Sequence, residues 1–378
     1  MTTPGLVLTG LSSGSGQLDI LDDLCSHLDI SHTIACFSAG MVVPGFRLLD
    51  PVMCGVETTV DLYTEASQGA DVAVIIGPGG LFDAPQLPGD HTSMSDTAPA
   101  SPAHLAVLLG LPVVLVVDVT GMFQTVGAVI KGMTMMDPEV RIQGVILTGY
   151  ATATHREMCR VAVEAQGVWV VDSMDEIVQL AEHPTAGDNV AGTGGDKPGV
   201  DKCPGDPVVA LNTGASPEWQ DVLGALGACV VDFDPLTEDI PACDGLIIDG
   251  ATAPDLERYV ASTRPLYVQG PAAWQVAHQL GVDADAGANE PGLYREAVSL
   301  TGSVMFPAGQ RVVGVDTAGA ILTEAAGWDP VWAWRSNDGQ VVREGFHRGN
   351  IAATALRIHP AAVIRTPAIA SFLAACTH

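Results

Sequence analysis

Positive charge is scarce in this 378-residue sequence: 16 lysines and arginines stand against 44 aspartates and glutamates, a formal net charge of −28. So acidic a chain repels phosphate backbones and anionic headgroups, which argues against nucleic acid and membrane surfaces as partners. Arg47 is the only lysine or arginine before Lys131, although a site for a nucleoside triphosphate ordinarily brings positive charge to it. A solvated acidic surface accounts for the charge equally well. Long apolar runs are also missing. The longest, Ala106 to Val117, is interrupted by Gly110 and Pro112 and is too short for a bilayer. No basic segment opens the chain, so a secretory signal is not expected. The eight cysteines lack CxxC or zinc-finger spacing, which fits reduced thiols and a cytoplasmic protein with no metal site.

What is present is enough apolar residue, 47%, for two cores. Near the start, the apolar Leu6–Leu8 meets a loop with Gly10, Gly14 and Gly16, and the amphipathic DILDDLCSHL follows. Strand, glycine loop and helix make the concavity in which backbone N–H groups hold phosphate oxygens. Ser12, Ser13, Gly14, Ser15 and Gly16 supply that loop, but Gln17 and Leu18 stand where a working loop has lysine and a metal-binding hydroxyl. An ordinary strand-to-helix turn is the alternative.

Strand and helix patterns then alternate: HTIACFSAG, DLYTEASQG, DVAVIIG, SPAHLAVLLG, LPVVLVVDVTG, MFQTVGAVIKGMTMM, VRIQGVILTGY, THREMCRVAVEAQ, GVWVVD and SMDEIVQLAEH. Alternation of this kind predicts a parallel sheet covered on both faces. Its ligand-facing turns are Gly77–Pro85, with Gly77, Gly80 and Asp83, and the end of the apolar strand at Asp118. Gln86–Ala100 reads as a mobile lid or surface loop. Residues 1–183 form the first domain, and 184–207, rich in Gly, Pro, Asp and Thr, an interdomain linker. Residues 208–378 form a second α/β domain, whose last hundred residues look less regular.

Several stretches together resemble the cobyrinic acid a,c-diamide synthase family, ATP- and glutamine-dependent amidases of corrin-ring carboxylates related to cobyric acid synthase and dethiobiotin synthetase. SSGSG, GLFD (Gly80–Asp83), SPAHLAVLLGLPVVLVVD, IKG and GVIL look like the synthetase domain; FDPLTEDIPACDGLIIDG, PLYVQG and EGFHRGNIAATALRIH look like its class I glutamine amidotransferase domain. The resemblance implies a P-loop-type, dethiobiotin synthetase-like parallel sheet domain followed by an amidotransferase-like α/β domain. The functional positions depart from it. Beside Gln17 and Leu18, Ile76 stands where a magnesium-holding acid is expected, Gly40-Met41-Val42 replaces Gly-Pro-Asp, and Thr148 replaces an adenine-reading asparagine. In the elbow Tyr267-Val268-Gln269-Gly270-Pro271, Gly270 occupies the nucleophile position and a proline follows. The oxyanion strand end reads Asp249-Gly250-Ala251-Thr252. Arg357 occupies the histidine position, with His359 two residues on. No catalytic group is intact.

Asp83 reads as a turn cap or a cation ligand, Asp118 as a structural hydrogen bonder or a metal neighbour. His104, His155 and His278 read as ordinary helical histidines, and Trp328, Trp332 and Trp334 as core and rim. Arg335, His347, Arg348, Arg357 and His359 form a candidate anion site, with Arg343 and Arg365 nearby; the alternative is that they neutralise the domain's own acids. The expectation is a catalytically silent relative without cofactor that binds a carboxylate-rich, corrinoid-like molecule between its domains, or a partner protein, and is compatible with a homo-oligomer. The alternative is an active amidating enzyme using ATP, magnesium and free ammonia.

Overall fold

The computed structural model describes residues 3–28, 33–85, 98–182, 206–282, 285–288, 293–316, 320–323, 327–336 and 339–377. The chain divides into two compact units, the first holding the elements up to residue 182 and the second those from residue 208 onward. Residues 184–205 of the expected linker and 86–97 of the expected surface loop lie outside the described residues.

The first unit runs β1 (Gly5–Gly10), α1 (Gln17–Leu28), β2 (Ile34–Ala39), β3 (Arg47–Leu49), α2 (Pro51–Cys54), α3 (Val56–Ser67), β4 (Val72–Gly80), α4 (Pro102–Leu109), β5 (Val113–Asp118), α5 (Thr125–Met136), β6 (Ile142–Thr148), α6 (Ala153–Glu164), β7 (Trp169–Val170) and α7 (Met174–Glu182). Its seven strands lie in the order β3-β2-β4-β1-β5-β6-β7 and every pair is parallel. Successive side chains of a strand point to opposite faces. Leu6 and Leu8 accordingly join Leu21 and Leu24 of α1 and Ile177 and Leu180 of α7 in one core. Val7 joins Leu105 of α4, Val126 of α5 and Val163 of α6 in the other. Both faces are therefore dry, which is why the strands read as unbroken apolar runs. Helix α4 shows how sequence sets its ends: Ser101 Oγ accepts from the His104 amide, Pro102 opens the first turn, and Gly110 closes the helix in the left-handed region.

The second unit runs β8 (Val208–Asn212), α8 (Glu218–Ala225), β9 (Cys229–Phe233), β10 (Gly245–Asp249), α9 (Glu257–Val260), β11 (Leu266–Gln269), α10 (Ala272–Gln279), β12 (Asp285–Ala288), β13 (Leu293–Val298), β14 (Arg311–Asp316), β15 (Ala320–Thr323), β16 (Trp332–Arg335), β17 (Val341–Glu344), β18 (Phe346–Arg348), β19 (Ile351–Thr354), β20 (Leu356–Ile358), α11 (Pro360–Val363) and α12 (Pro367–Cys376). A six-stranded sheet, β18-β19-β11-β10-β8-β9, is parallel but for the β18–β19 edge. A five-stranded antiparallel sheet, β17-β16-β13-β14-β20, and the β12–β15 pair complete it.

The stretch expected to be less regular thus holds nine strands among the described residues. They are three to six residues long, too short for periodicity to reveal. An aromatic chain, Trp219, Tyr267, Phe306 and Trp332, runs through the core with successive ring centroids 6.0, 5.6 and 4.5 Å apart. No helix among the described residues is long and apolar enough to cross a membrane.

Glu344 closes β17 with its carboxylate fully buried, accepting from Thr354 Oγ1 at 2.6 Å and from the Ala355 amide at 2.7 Å. Burial dominates over these hydrogen bonds and raises its pKa from 4.5 to about 7, Asp316 adding to the shift. The folded state therefore holds a proton that the unfolded chain releases, and stability falls as pH rises from about 4.5 to 7. Glu344→Gln should flatten that fall, by up to about 3 kcal/mol between pH 4.5 and 7. Denaturant titration of both proteins across this range measures it.

Candidate functional site

The carboxyl ends of β1, β4 and β5 bring the glycine loop, the Gly77–Asp83 turn and Asp118 to one edge of the first sheet. Gly14 and Gly16 hold φ of +80° and +88°, the region in which a loop can turn its amides inward. The loop is tied to itself: the Ser12 amide donates to Ser15 Oγ at 3.3 Å, and Ser15 Oγ donates to the Ser12 carbonyl at 2.9 Å. Gln17 is buried and bends back toward the protein. Its Nε2 donates to the carbonyls of Pro78 at 3.0 Å, Gly77 at 3.4 Å and Ser12 at 3.5 Å, pinning the loop to the end of β4. Gln17 Oε1 is buried with no donor among the described residues.

Leu18 is 45% exposed, while Ile76 is wholly buried among Leu6, Leu8, Leu21 and Leu24. Asp83 Oδ2 accepts from the Gly80 amide at 2.9 Å, so it caps its own turn. Asp118 Oδ1 accepts from the Thr120 amide at 2.8 Å, and hydrogen bonds from Thr120 hold its carboxyl below the usual range. Among the described residues no three His, Cys, Asp or Glu side chains group as metal ligands. His104 and His155 each accept a loop amide at Nδ1, from Ala100 at 3.1 Å and Ala151 at 3.2 Å, and both steady the starts of their helices. Burial lowers the pKa of His104. His278 lies in α10.

In the second unit Gly270 follows β11 with φ of +83°, so the elbow's backbone conformation is present although the residue has no side chain. A Cβ there would stand 3.2 Å from the Gly250 carbonyl. That carbonyl accepts the Ala272 amide at 2.9 Å, occupying a donor at the start of α10, and Pro271 has none to offer. Gln269, fully buried, bridges to β20: its Oε1 accepts from the Ile358 amide and its Nε2 donates to the Ile358 carbonyl, both at 3.2 Å.

Behind the elbow, Asp249 and Arg357 form a buried ion pair. Arg357 Nε lies 2.8 Å from Asp249 Oδ1, and Nη2 donates to Oδ2 at 2.9 Å. Oδ2 also accepts from the Ser216 amide and from Trp219 Nε1, each at 3.1 Å. Asn212 at the end of β8 clamps the Asp249 backbone from both sides, accepting its amide at 2.8 Å and donating to its carbonyl at 3.2 Å. Ser216 Oγ donates to the buried Glu218 carboxylate beside them.

The expected anion group does not assemble as one cluster. Arg357 is committed to the protein's own carboxylate, a correction that follows from Asp249 being buried at the end of β10. His359 Nδ1 accepts the Ala361 amide at 3.1 Å and caps α11. His347 Nε2 lies 2.7 Å from Thr301 Oγ1, and burial lowers its pKa. Exposed Arg348 stacks over Trp328 at 4.2 Å, and exposed Arg335 donates to the Gly339 carbonyl at 3.3 Å. Trp332 and Trp334 are core. Sequence reasoning assigned Asp249 only to the oxyanion strand end. Its signal was a charge closing the apolar strand GLIID while an arginine replaced the histidine.

A buried ion pair that loses one partner leaves an uncompensated charge, at a cost of about 3–5 kcal/mol. Arg357→Ala should destabilise the chain by that amount in urea unfolding. Pairing it with Asp249→Asn should recover most of the loss, because no net charge is then left in the interior.

No family model matches the chain. The hydrogenobyrinate a,c-diamide synthase of Mycobacterium tuberculosis (strain ATCC 25618 / H37Rv) is 30% identical over an alignment of 456 positions that covers 99% of this chain and 98% of the relative. The enzyme of that name from Streptomyces coelicolor is 27% identical, covering 95% of each chain. The cobyrinate a,c-diamide synthase of Syntrophotalea carbinolica is 26% identical, covering 95% of this chain and 96% of the relative. Among solved structures, a glutamine amidotransferase from Thermotoga maritima has a TM-score of 0.32 and 13% identity, over 40% of this chain and 76% of that one. A 456-position alignment of a 378-residue chain also means that the mycobacterial relative carries segments with no counterpart here. On the strength of near full-length similarity, the chain belongs to the hydrogenobyrinate and cobyrinate a,c-diamide synthase family.

Proposed function

We propose that this chain is a catalytically silent member of its family, derived from corrinoid amidation in cobalamin biosynthesis and acting by binding a carboxylate-rich molecule or a partner protein. The observation that carries the proposal is the Asp249–Arg357 pair packed behind a side-chain-free Gly270. Class I glutamine hydrolysis needs a thiolate at the elbow, a neutral imidazole to take its proton, and open backbone donors for the oxyanion. Here the elbow offers only hydrogen, the base position holds a guanidinium that does not deprotonate in proteins, and the Ala272 amide is occupied.

The synthetase half supports the same reading. Phosphoryl transfer depends on positioning and charge neutralisation. Gln17 is neutral and turned toward backbone carbonyls, Leu18 has no hydroxyl, and Ile76 lies in an apolar core. These residues do not fit magnesium-ATP.

The protein should release no ammonia from glutamine and should give no low-micromolar heat of binding with Mg-ATP. Gly270→Cys should stay inactive, since Arg357 cannot serve as its base. Incubation with hydrogenobyrinic acid, ammonia and Mg-ATP, followed by mass spectrometry, completes the test. Appearance of the diamide overturns the proposal.

A further inference from the structure

The five-stranded sheet of the second unit has one face that does not share the charge of the chain. Trp332 pairs with Glu344 and Trp334 with Val342, and these four side chains point into the core. The alternate residues therefore point the other way. On that face Arg343 pairs with Ala333, Ala333 with Val298, and Val298 with Arg311, a continuous row across β17, β16, β13 and β14 with an arginine at each end. Four strands at about 4.8 Å spacing put the two terminal Cα atoms about 14 Å apart. Arg335 and Glu296 lie two residues along from Ala333 and Val298, on the same face. Toward β20 the face is covered, with Tyr294 and Val315 buried; toward β17 it is open, with Arg311, Arg335, Arg343, Glu296 and Val341 all exposed.

Among the described residues of this face, three arginines against one glutamate is a reversal of sign in a chain of net charge −28. Among the described residues no carboxylate forms an ion pair with any of the three. Exposed arginines along the row, with Ala333 buried between them and Val298 half-buried, offer guanidinium forks at the surface. The surface is a flat sheet face rather than a cavity, which suits a chain laid across it more than a small molecule. We infer that this face docks an acidic, extended segment of a partner protein, its carboxylates reaching Arg311, Arg335 and Arg343. Carboxylates four residues apart on an extended chain are about 13 Å apart, matching the row. The inference rests on sheet register and charge alone, and stands or falls independently of the catalytic silence proposed above.

The test is fluorescence anisotropy of a fluorescein-labelled ten-glutamate peptide with the full chain at about 0.15 M salt, where a Debye length of about 8 Å screens the distant acidic surface. The unmodified protein should bind it. Arg311→Glu, Arg335→Glu and Arg343→Glu together should weaken binding roughly tenfold or more. Lys131→Glu, Arg258→Glu and Arg348→Glu, an equal change in net charge at exposed positions off this face, should leave it within about twofold. Should the first variant not fold, the three arginines changed to glutamine replace it, with a smaller loss expected. The inference is overturned by no binding to the unmodified protein, by equal losses in both triple variants, by millimolar citrate competing as well as unlabelled peptide, or by a labelled oligothymidine binding instead.

Discussion

A carboxylate and a guanidinium shut away from water link the two larger sheets of the second unit. Asp249 ends a central strand of the six-stranded sheet and Arg357 sits on the edge strand of the five-stranded one, so their contact joins the two layers. Charges inside a protein are tolerated only when fully partnered. Here the Ser216 amide, Trp219 Nε1 and Arg357 Nη2 all donate to Oδ2, while Oδ1 has the Arg357 Nε charge 2.8 Å away but no hydrogen bond among the described residues. Glu344, Gln269 and Thr354 extend the same polar seam along β11, β19 and β20.

The first unit follows the same logic with a neutral group. Where a lysine would reach toward phosphate, Gln17 turns its amide to the carbonyls of Gly77 and Pro78 and fastens the loop to the sheet. In both units the sharp turns rest on glycine: Gly270, Gly14 and Gly16 all hold positive φ. Backbone shape is set by sheet and helix packing across the whole unit, so it survives changes at one position.

The parallel sheets were legible because both faces are dry and the apolar runs are long, as in VAVII and VVLVV. Ile76 reads from the sequence as the end of an apolar strand, and the structure buries it there; the turns at Gln17 and Gly270 follow apolar strands in the same way. The pairing of Asp249 was not legible, since its partner lies 108 residues away and pairing at that distance leaves no local pattern. The strands β12 to β20 left no clear pattern for a related reason: at three to six residues each they carry too few alternations to count. The grouping of five basic residues failed on strand geometry. His347 and Arg348 are adjacent on β18 and so point to opposite faces, one buried and one exposed.

The Asp249–Arg357 pair also bears on how this chain can change over evolutionary time. Placing a neutral side chain at 357 first strands the aspartate in a dry interior; replacing the aspartate first strands the arginine. Either order passes through an intermediate that forfeits several kcal/mol out of a stability that rarely exceeds about 15. The elbow adds a third obstacle, because a side chain at Gly270 must take a positive φ and press on the Gly250 carbonyl. The pair is therefore locked by folding stability: neither residue can change alone without cost to the fold.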